Sequence, residues 1–148
     1  VSLPPDTVLR IDTAFTIVRS PHHRFRSTCM RHARSRDVAT LDSTAEKIIN
    51  ACKANRHYLD NHIRPQTELL PGQQLAKEID LKVYRFEDGA HRAEIARMAG
   101  YTGEWPRVGS DKYSEHTEVM FSESTIELIY DFYREDYERF GYLKPDVR

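Results

Sequence analysis

The chain has 148 residues, 39% of them hydrophobic and 30% charged, and its formal net charge is −1. This length fits a single domain, residues 1–148, around one hydrophobic core, and no apolar run approaches the length that crosses a membrane. A near-neutral chain has no overall field to drive nucleic-acid binding, so any anion site must be local. We therefore expect neither a nucleic acid nor a membrane as a partner.

Residues 14–18 are the first predicted element, a short buried strand of apolar and β-branched side chains. Pro21 fits the first turn of a helix, which we expect to continue to about Arg34. The strand thus ends beside Arg19, directly before a helix that carries Ser27. Because open α/β sheets bind ligands at the carboxyl ends of their strands, this layout predicts an anion site at Arg19 and Ser27.

A second helix is predicted to begin near Ser43, because Ser43 and Glu46 have the spacing of a capping box. Its buried face is marked by apolar side chains, namely Ile48, Ile49, Cys52 and Leu59. Pro65 is expected to end helical continuity or to turn the chain. Residues 81–86 then form a second strand candidate, and residues 90–98 a short amphipathic helix that is capped by Gly100.

The closing segment predicts one long amphipathic helix. It begins at the capping box of Ser124 and Glu127, and Gly141 ends it. Its apolar side chains recur every three or four residues: Ile126, Ile129, Tyr130, Tyr133, Tyr137 and Phe140. Helices between separated strands imply a helix-rich α/β fold with a parallel sheet and crossover helices. Only two strands are visible, which indicates that part of the sheet is missing.

Four stretches resemble the Golgi-type and bacterial sulfotransferase superfamily, which includes the carbohydrate sulfotransferases. They match, in order and approximate spacing, that family's 3′-phosphate motif, a His-x-x-Pro-Gln segment, the following strand and the closing helix: residues 15–27, 61–66, 79–87 and 133–142. The resemblance implies a partial P-loop-type parallel sheet, the C-terminal portion of such a domain. The family's glycine-lysine-Ser/Thr loop, which cradles the 5′-phosphosulfate, has no counterpart among the six isolated glycines.

The resemblance implies a co-substrate and the residues that bind it. The family's matching arginine and serine bind the 3′-phosphate of 3′-phosphoadenosine 5′-phosphosulfate (PAPS), a role that Arg19 and Ser27 would inherit. Arg107 and Lys112 lie in a loop that resembles the basic loop closing over the nucleotide in many members. The alternative is that these four side chains are solvated and bind no ligand. Arg24 is expected to be structural, paired with a carboxylate.

His62 is the candidate catalytic residue. A histidine can take a proton from an acceptor hydroxyl, because imidazole titrates near neutrality. The alternative is that His62 binds backbone atoms and fixes the turn before Pro65. Arg64 and Gln66 are the candidate contacts to the acceptor substrate, for example to an anionic sugar.

No metal is expected. The seven histidines form no HExxH motif, and their nearest groupings with cysteine or with each other lack the spacing of a zinc site: Cys29 with His32, Cys52 with His57, and His22 with His23. Cys29 and Cys52 both fall in helix-like stretches, and we expect them to be reduced and semi-buried.

Three functions are compatible with the sequence. The first is a sulfotransferase that moves a sulfuryl group from PAPS to a hydroxyl of a carbohydrate or small molecule. Its missing loop would come from another chain or from a segment upstream of Val1, which is not a methionine. The second is a non-catalytic structural or interaction protein that keeps the fold, and the third is a nucleotide-binding module with another phosphate ligand.

Two expectations accompany these functions. An α/β sheet without its first strand, loop and helix exposes apolar surface, so the chain is expected to form an oligomer or to join a larger assembly. A cytoplasmic location, in a protein of bacterial or viral origin, is favoured because reduced cysteines are typical of a reducing compartment. The Golgi lumen is the alternative, since animal relatives work there.

Overall fold

The computed structural model describes residues 14–59, 61–103 and 121–145. Arg107 and Lys112 lie outside these ranges. In chain order the elements are β1 (Ala14–Val18), α1 (Pro21–His32), α2 (Val38–Ala54), a 3₁₀ helix (Gln66–Leu69), α3 (Gln73–Glu78), β2 (Leu81–Arg85), α4 (Gly89–Met98), α5 (Glu123–Phe132) and α6 (Arg134–Phe140). None of these described helices combines the length and the apolar composition that a bilayer crossing requires.

The two strands pair in parallel, with Ala14 opposite Leu81 and Val18 opposite Arg85. The Phe86 N–H extends the ladder by one bond to the Val18 carbonyl. Both predicted strands and their parallel arrangement are therefore confirmed, and the fold belongs to the α/β class. Within the described residues the sheet has these two strands alone.

The first helix begins as predicted. Ser20 caps it, with its hydroxyl accepting a hydrogen bond from the His23 N–H, and Pro21 occupies the first turn. The helix ends at His32, two residues before the predicted end, because Ala33 is extended. Phe25 and Cys29 lie on its buried face.

The predicted start of the second helix is wrong. The helix begins at Val38, because Asp37 is the N-cap and accepts a 2.9 Å hydrogen bond from the Thr40 N–H. Hydrogen bonds from Ser35 and Thr40 lower the pKa of the Asp37 carboxyl to about 2. Ser43 therefore lies inside the helix. Leu59 lies beyond its end, in a turn where the backbone is left-handed, with a φ of 54°.

The single long closing helix is also wrong. The chain forms α5 and α6, which are separated at Tyr133, where φ is −108° and ψ is 19°. Ser122, and not Ser124, caps α5. The interruption lies where buried side chains bind the middle of the chain: the Tyr133 hydroxyl donates to the Ile63 carbonyl. Gly141 ends α6 in the left-handed region, as predicted.

The hydrophobic core lies among the helices and beside the sheet. Its fully buried side chains come mainly from α1, α2, α5 and the segment before the 3₁₀ helix, and they include Phe25, Leu41, Ile49, Ile63, Ile129 and Tyr133. Both cysteines are free and fully buried here, and burial raises the pKa of the Cys29 thiol to about 12. The carboxyl end of β1 thus leads straight from the sheet into this helical core.

Candidate functional site

Arg19, Ser27 and His62, which the sequence singles out separately, line one open groove of about 810 Å³. The groove runs between α1 and the turn around residues 59–62. Its other lining residues are Arg24, Thr28, Arg31, His32, Leu59 and Asn61. The described lining thus contains three arginines, two histidines and no carboxylate. In the sequence, Arg19 and His62 are separated by more than forty residues.

One face of α1 supplies much of the cationic lining. Ser27 and Thr28 lie three and four residues after Arg24, and Arg31 lies four and three residues after them, so the four residues share one side of the helix. Seven residues of helix rise about 10 Å, which separates Arg24 from Arg31 by two turns. The sequence prediction did not include Arg31, Thr28 and His32. The predicted helix from Pro21 contained the signal, because helical spacing places Thr28 and Arg31 on the same side as Arg24.

The backbone of Arg19 is held by the side-chain amide of Gln66. The Arg19 N–H donates to Gln66 Oε1 at 2.9 Å, and Gln66 Nε2 donates to the Arg19 carbonyl at 2.8 Å. The Arg19 guanidinium carbon lies 5.6 Å from the centre of the Phe86 ring, within the range of a cation–π contact. Arg19 is therefore fixed at its backbone while its charged end stays exposed to the groove.

Gln66 is in turn held by Asp136, a fully buried carboxylate of α6. The Gln66 N–H donates to Asp136 Oδ2 and the Thr67 N–H donates to Oδ1, both at 2.8 Å. Asp136 thereby binds the free N–H groups at the start of the 3₁₀ helix, as a capping residue does. Gln66 is buried and does not line the groove. Its observed contacts position Arg19, whereas the sequence predicted a contact with the acceptor.

Arg24 joins α1 to the turn that carries His62. Its guanidinium donates to the carbonyl oxygens of Asn61 and Arg64, each at 2.6 Å, and not to the carboxylate that was expected. Burial lowers the pKa of Arg24, and the nearby Tyr133 and Asp136 side chains oppose that shift. The two carbonyl bonds hold the turn against the helix.

Ser27 and His62 are accessible from the groove but differ in their contacts. The Ser27 hydroxyl donates to the His23 carbonyl one turn earlier, at 3.0 Å, so it must rotate before it can donate to a ligand. The His62 side chain is exposed, and the His62 backbone N–H donates to the Leu59 carbonyl. Arg64 lies outside the groove lining, where its Nε is 3.5 Å from a Glu68 carboxylate oxygen.

Comparison of the chain with protein-family models, curated proteins and solved structures gives no match. The function of the groove is therefore inferred from the charge of its side chains. A concave surface whose described lining has three guanidinium groups and no carboxylate is complementary to a multiply charged oxyanion such as a phosphate. In the part of the chain that the structure describes, no group of three His, Cys, Asp or Glu side chains is placed to hold a metal ion.

Proposed function

We propose that the groove binds the 3′-phosphate of PAPS, and that the chain is the C-terminal portion of a P-loop-type, sulfotransferase-like domain. The observation that carries this proposal is that Arg19, Arg24 and Arg31 line the same groove as Ser27, and that the described part of this lining contains no carboxylate. The groove opens at the carboxyl end of a parallel strand, where α/β sheets commonly bind ligands. The choice of PAPS as the ligand comes from the resemblance of the sequence to the sulfotransferases. The positive charge of the groove supports the binding of a phosphate.

The reaction would be sulfuryl transfer to a hydroxyl of a carbohydrate or small molecule. The acceptor oxygen forms a bond to sulfur, the bond from sulfur to the 5′-phosphate oxygen breaks, and adenosine 3′,5′-bisphosphate leaves. Such transfers depend on in-line positioning and charge stabilisation. Arg19 would orient the nucleotide through its 3′-phosphate, and exposed His62 would take the proton of the acceptor hydroxyl. Arg107 and Lys112 would add cations over the nucleotide.

The alternative is a non-catalytic protein that keeps the fold without the donor loop. The isolated glycines favour it, because none belongs to a glycine-lysine-Ser/Thr turn that could cradle the 5′-phosphosulfate. In the catalytic proposal that loop belongs to a segment upstream of Val1 or to another chain. Binding of the bisphosphate in the groove is a prediction of the first proposal, and its absence would favour the non-catalytic protein. A sulfated product is likewise predicted by the first proposal alone.

Calorimetric titration with adenosine 3′,5′-bisphosphate tests the site. We expect it to bind at least tenfold more tightly than adenosine 5′-monophosphate, which lacks the 3′-phosphate. The variant Arg19→Ala should remove that advantage, since a hydrogen bond to a charged group contributes about 1.5–3 kcal/mol. Arg34→Ala is the matched control, because Arg34 is exposed just beyond α1 and outside the groove lining.

Two results would count against the proposal: equal affinity for the two nucleotides, or equal effects of the two arginine variants. Sulfation of a panel of sugar acceptors by PAPS, followed by mass spectrometry, then separates the catalytic from the non-catalytic protein. In a catalytic protein His62→Ala should reduce turnover while leaving the affinity for the bisphosphate unchanged.

A further inference from the structure

A second cavity, of about 400 Å³, lies beside the end of β2. It is lined by Val83, Arg85, Asp88, His91, Arg139 and Phe140. It shares none of these residues with the groove around Arg19, and the proposed sulfuryl transfer uses none of them. Because Val18 pairs with Arg85, the two sites begin at the ends of adjacent strands.

The Arg85 guanidinium is held in place by the chain that follows α6. Its central carbon lies 5.1 Å from the centre of the Tyr142 ring, a cation–π distance. One nitrogen of the guanidinium also occupies space that a side chain at residue 141 would need, because a Cβ on Gly141 would be 2.6 Å from Arg85 Nη2. Arg139, in the last turn of α6, supplies a second and exposed guanidinium.

His91 adds a neutral hydrogen-bond donor to these two cations. Its Nδ1 accepts a 2.9 Å hydrogen bond from the Arg85 N–H, so the ring proton of the neutral imidazole is on Nε2. The Tyr84 ring packs edge-to-face against the imidazole, with 5.4 Å between the two ring centres, and this contact orients the imidazole. Asp88 contributes one negative charge, and its Oδ1 caps α4 by accepting from the Ala90 and His91 N–H groups.

The charge and the walls of the cavity define its ligand. Within the described lining, two guanidinium groups against one carboxylate leave a net charge of +1, which one monoanion neutralises. Val83 and Phe140 form an apolar wall beside the charged groups. We propose that this cavity binds a small organic monocarboxylate with an apolar body, its carboxylate on Arg85 and Arg139 and its body against Val83. The described lining of the groove around Arg19, by contrast, has three guanidinium groups and no carboxylate, which suits a dianionic phosphate.

Benzoate is the probe for this site, and binding is followed by amide chemical shifts in NMR titrations. We expect millimolar affinity, with shifts at Val83, Gly141 and Tyr142. Benzyl alcohol, which lacks the charge, and inorganic phosphate, which lacks the apolar body, should each bind this cavity at least fivefold more weakly. Arg139→Gln should weaken benzoate binding about tenfold, the typical effect of a lost charge-assisted hydrogen bond.

Arg134→Gln is the control, since Arg134 lies on the same helix, pairs with Asp131 and is outside the cavity lining. Both residues are exposed, so both variants should keep the circular dichroism spectrum of the wild-type protein. The proposal is overturned if benzyl alcohol binds as tightly as benzoate, or if the two variants weaken benzoate equally. It is also overturned if Arg19→Ala weakens benzoate as much as Arg139→Gln, because benzoate would then occupy the groove.

Discussion

At the scale of single residues, Asp136 joins α6 to the start of the 3₁₀ helix. Its side chain has no exposed surface, and both of its oxygens accept backbone N–H groups of the 3₁₀ helix. Hydrogen bonds from N–H groups to a carboxylate are stronger than those between neutral partners. Removing the carboxylate would leave buried donors without an acceptor, which is costlier than losing the bonds alone.

Asp136→Ala is therefore expected to lower the free energy of unfolding by about 2–5 kcal/mol, because two buried N–H groups each lose their acceptor. Asp131→Ala, in the preceding helix, should change it by less than about 0.5 kcal/mol, because the Asp131 side chain is 61% exposed. Urea denaturation measures both values. Similar losses in the two variants would mean that Asp136 does not stabilise the 3₁₀ helix.

His22 makes stability dependent on pH. Its ring packs edge-to-face on Phe121, and its buried Nδ1 has no hydrogen-bond partner among the described residues. Burial, with the charges of His23 and Arg26, lowers the pKa of His22 from 6.5 to about 4. The unfolded chain thus binds a proton between these values while the folded chain does not. The contribution of neutral His22 to the free energy of unfolding is fully present above pH 6.5 and is lost as the pH falls towards 4.

We expect the wild-type protein to lose roughly 1–3 kcal/mol more stability than His22→Gln between pH 7 and pH 4.5. Urea denaturation at a series of pH values measures the difference, and the other titrating groups are common to both proteins. His57→Gln is the control, because His57 is exposed beyond α2. Identical pH profiles of wild type and His22→Gln would show that the folded protein protonates His22 without cost.

At the scale of elements, local signals predict some of the helix ends, whereas the 3₁₀ helix and α3 were not predicted. Pro21 and Gly141 define a helix start and a helix end in the sequence and in the structure. Asp37 and Ser43 both have the character of an N-cap, and the carboxylate is the one used. The interruption at Tyr133 could not be predicted, because the side chains around it bind residues some 70 positions earlier.

The same distinction applies to the candidate site. Arg19 and Ser27 could be paired from sequence because a strand end and the next helix are neighbours in any α/β unit. The links from Gln66 to Arg19 and from Asp136 to Gln66 span 47 and 70 residues, and no local pattern encodes them. One signal for Asp136 was available: it lies at helical spacing among Tyr133, Tyr137 and Phe140, where a lone carboxylate must have buried partners.

At the scale of the whole molecule, the sheet presents apolar side chains that the described residues leave uncovered. Phe15 is 52% exposed and Ile17 is 41% exposed on one face of β1. The strand carries no charge, although charged side chains are a common protection of exposed strands. Lys82 and Arg85 supply such charges on β2. Among the described residues, β1 is therefore the strand whose exposed apolar side chains have no charged neighbour on the same strand.

The expected association of this chain with copies of itself or with a larger assembly stays a prediction, and β1 is where it should occur. Sedimentation velocity over a range of concentrations should show species larger than a monomer. Ile17→Lys should shift the distribution towards the monomer, because it places a charge on the exposed face. Leu143→Lys is the control, since Leu143 is 90% exposed after α6. A monomer at every concentration would contradict the prediction.

The groove depends on a residue that is not part of it. A fragment ending at Arg134 would contain all the described residues that line the groove, but it would lack Asp136. The start of the 3₁₀ helix would then lose its acceptor, the amide of Gln66 would be released, and the main chain at Arg19 would be free to rotate. Domain boundaries chosen around the lining residues alone would thus remove the side chain that supports the Arg19 end of the groove.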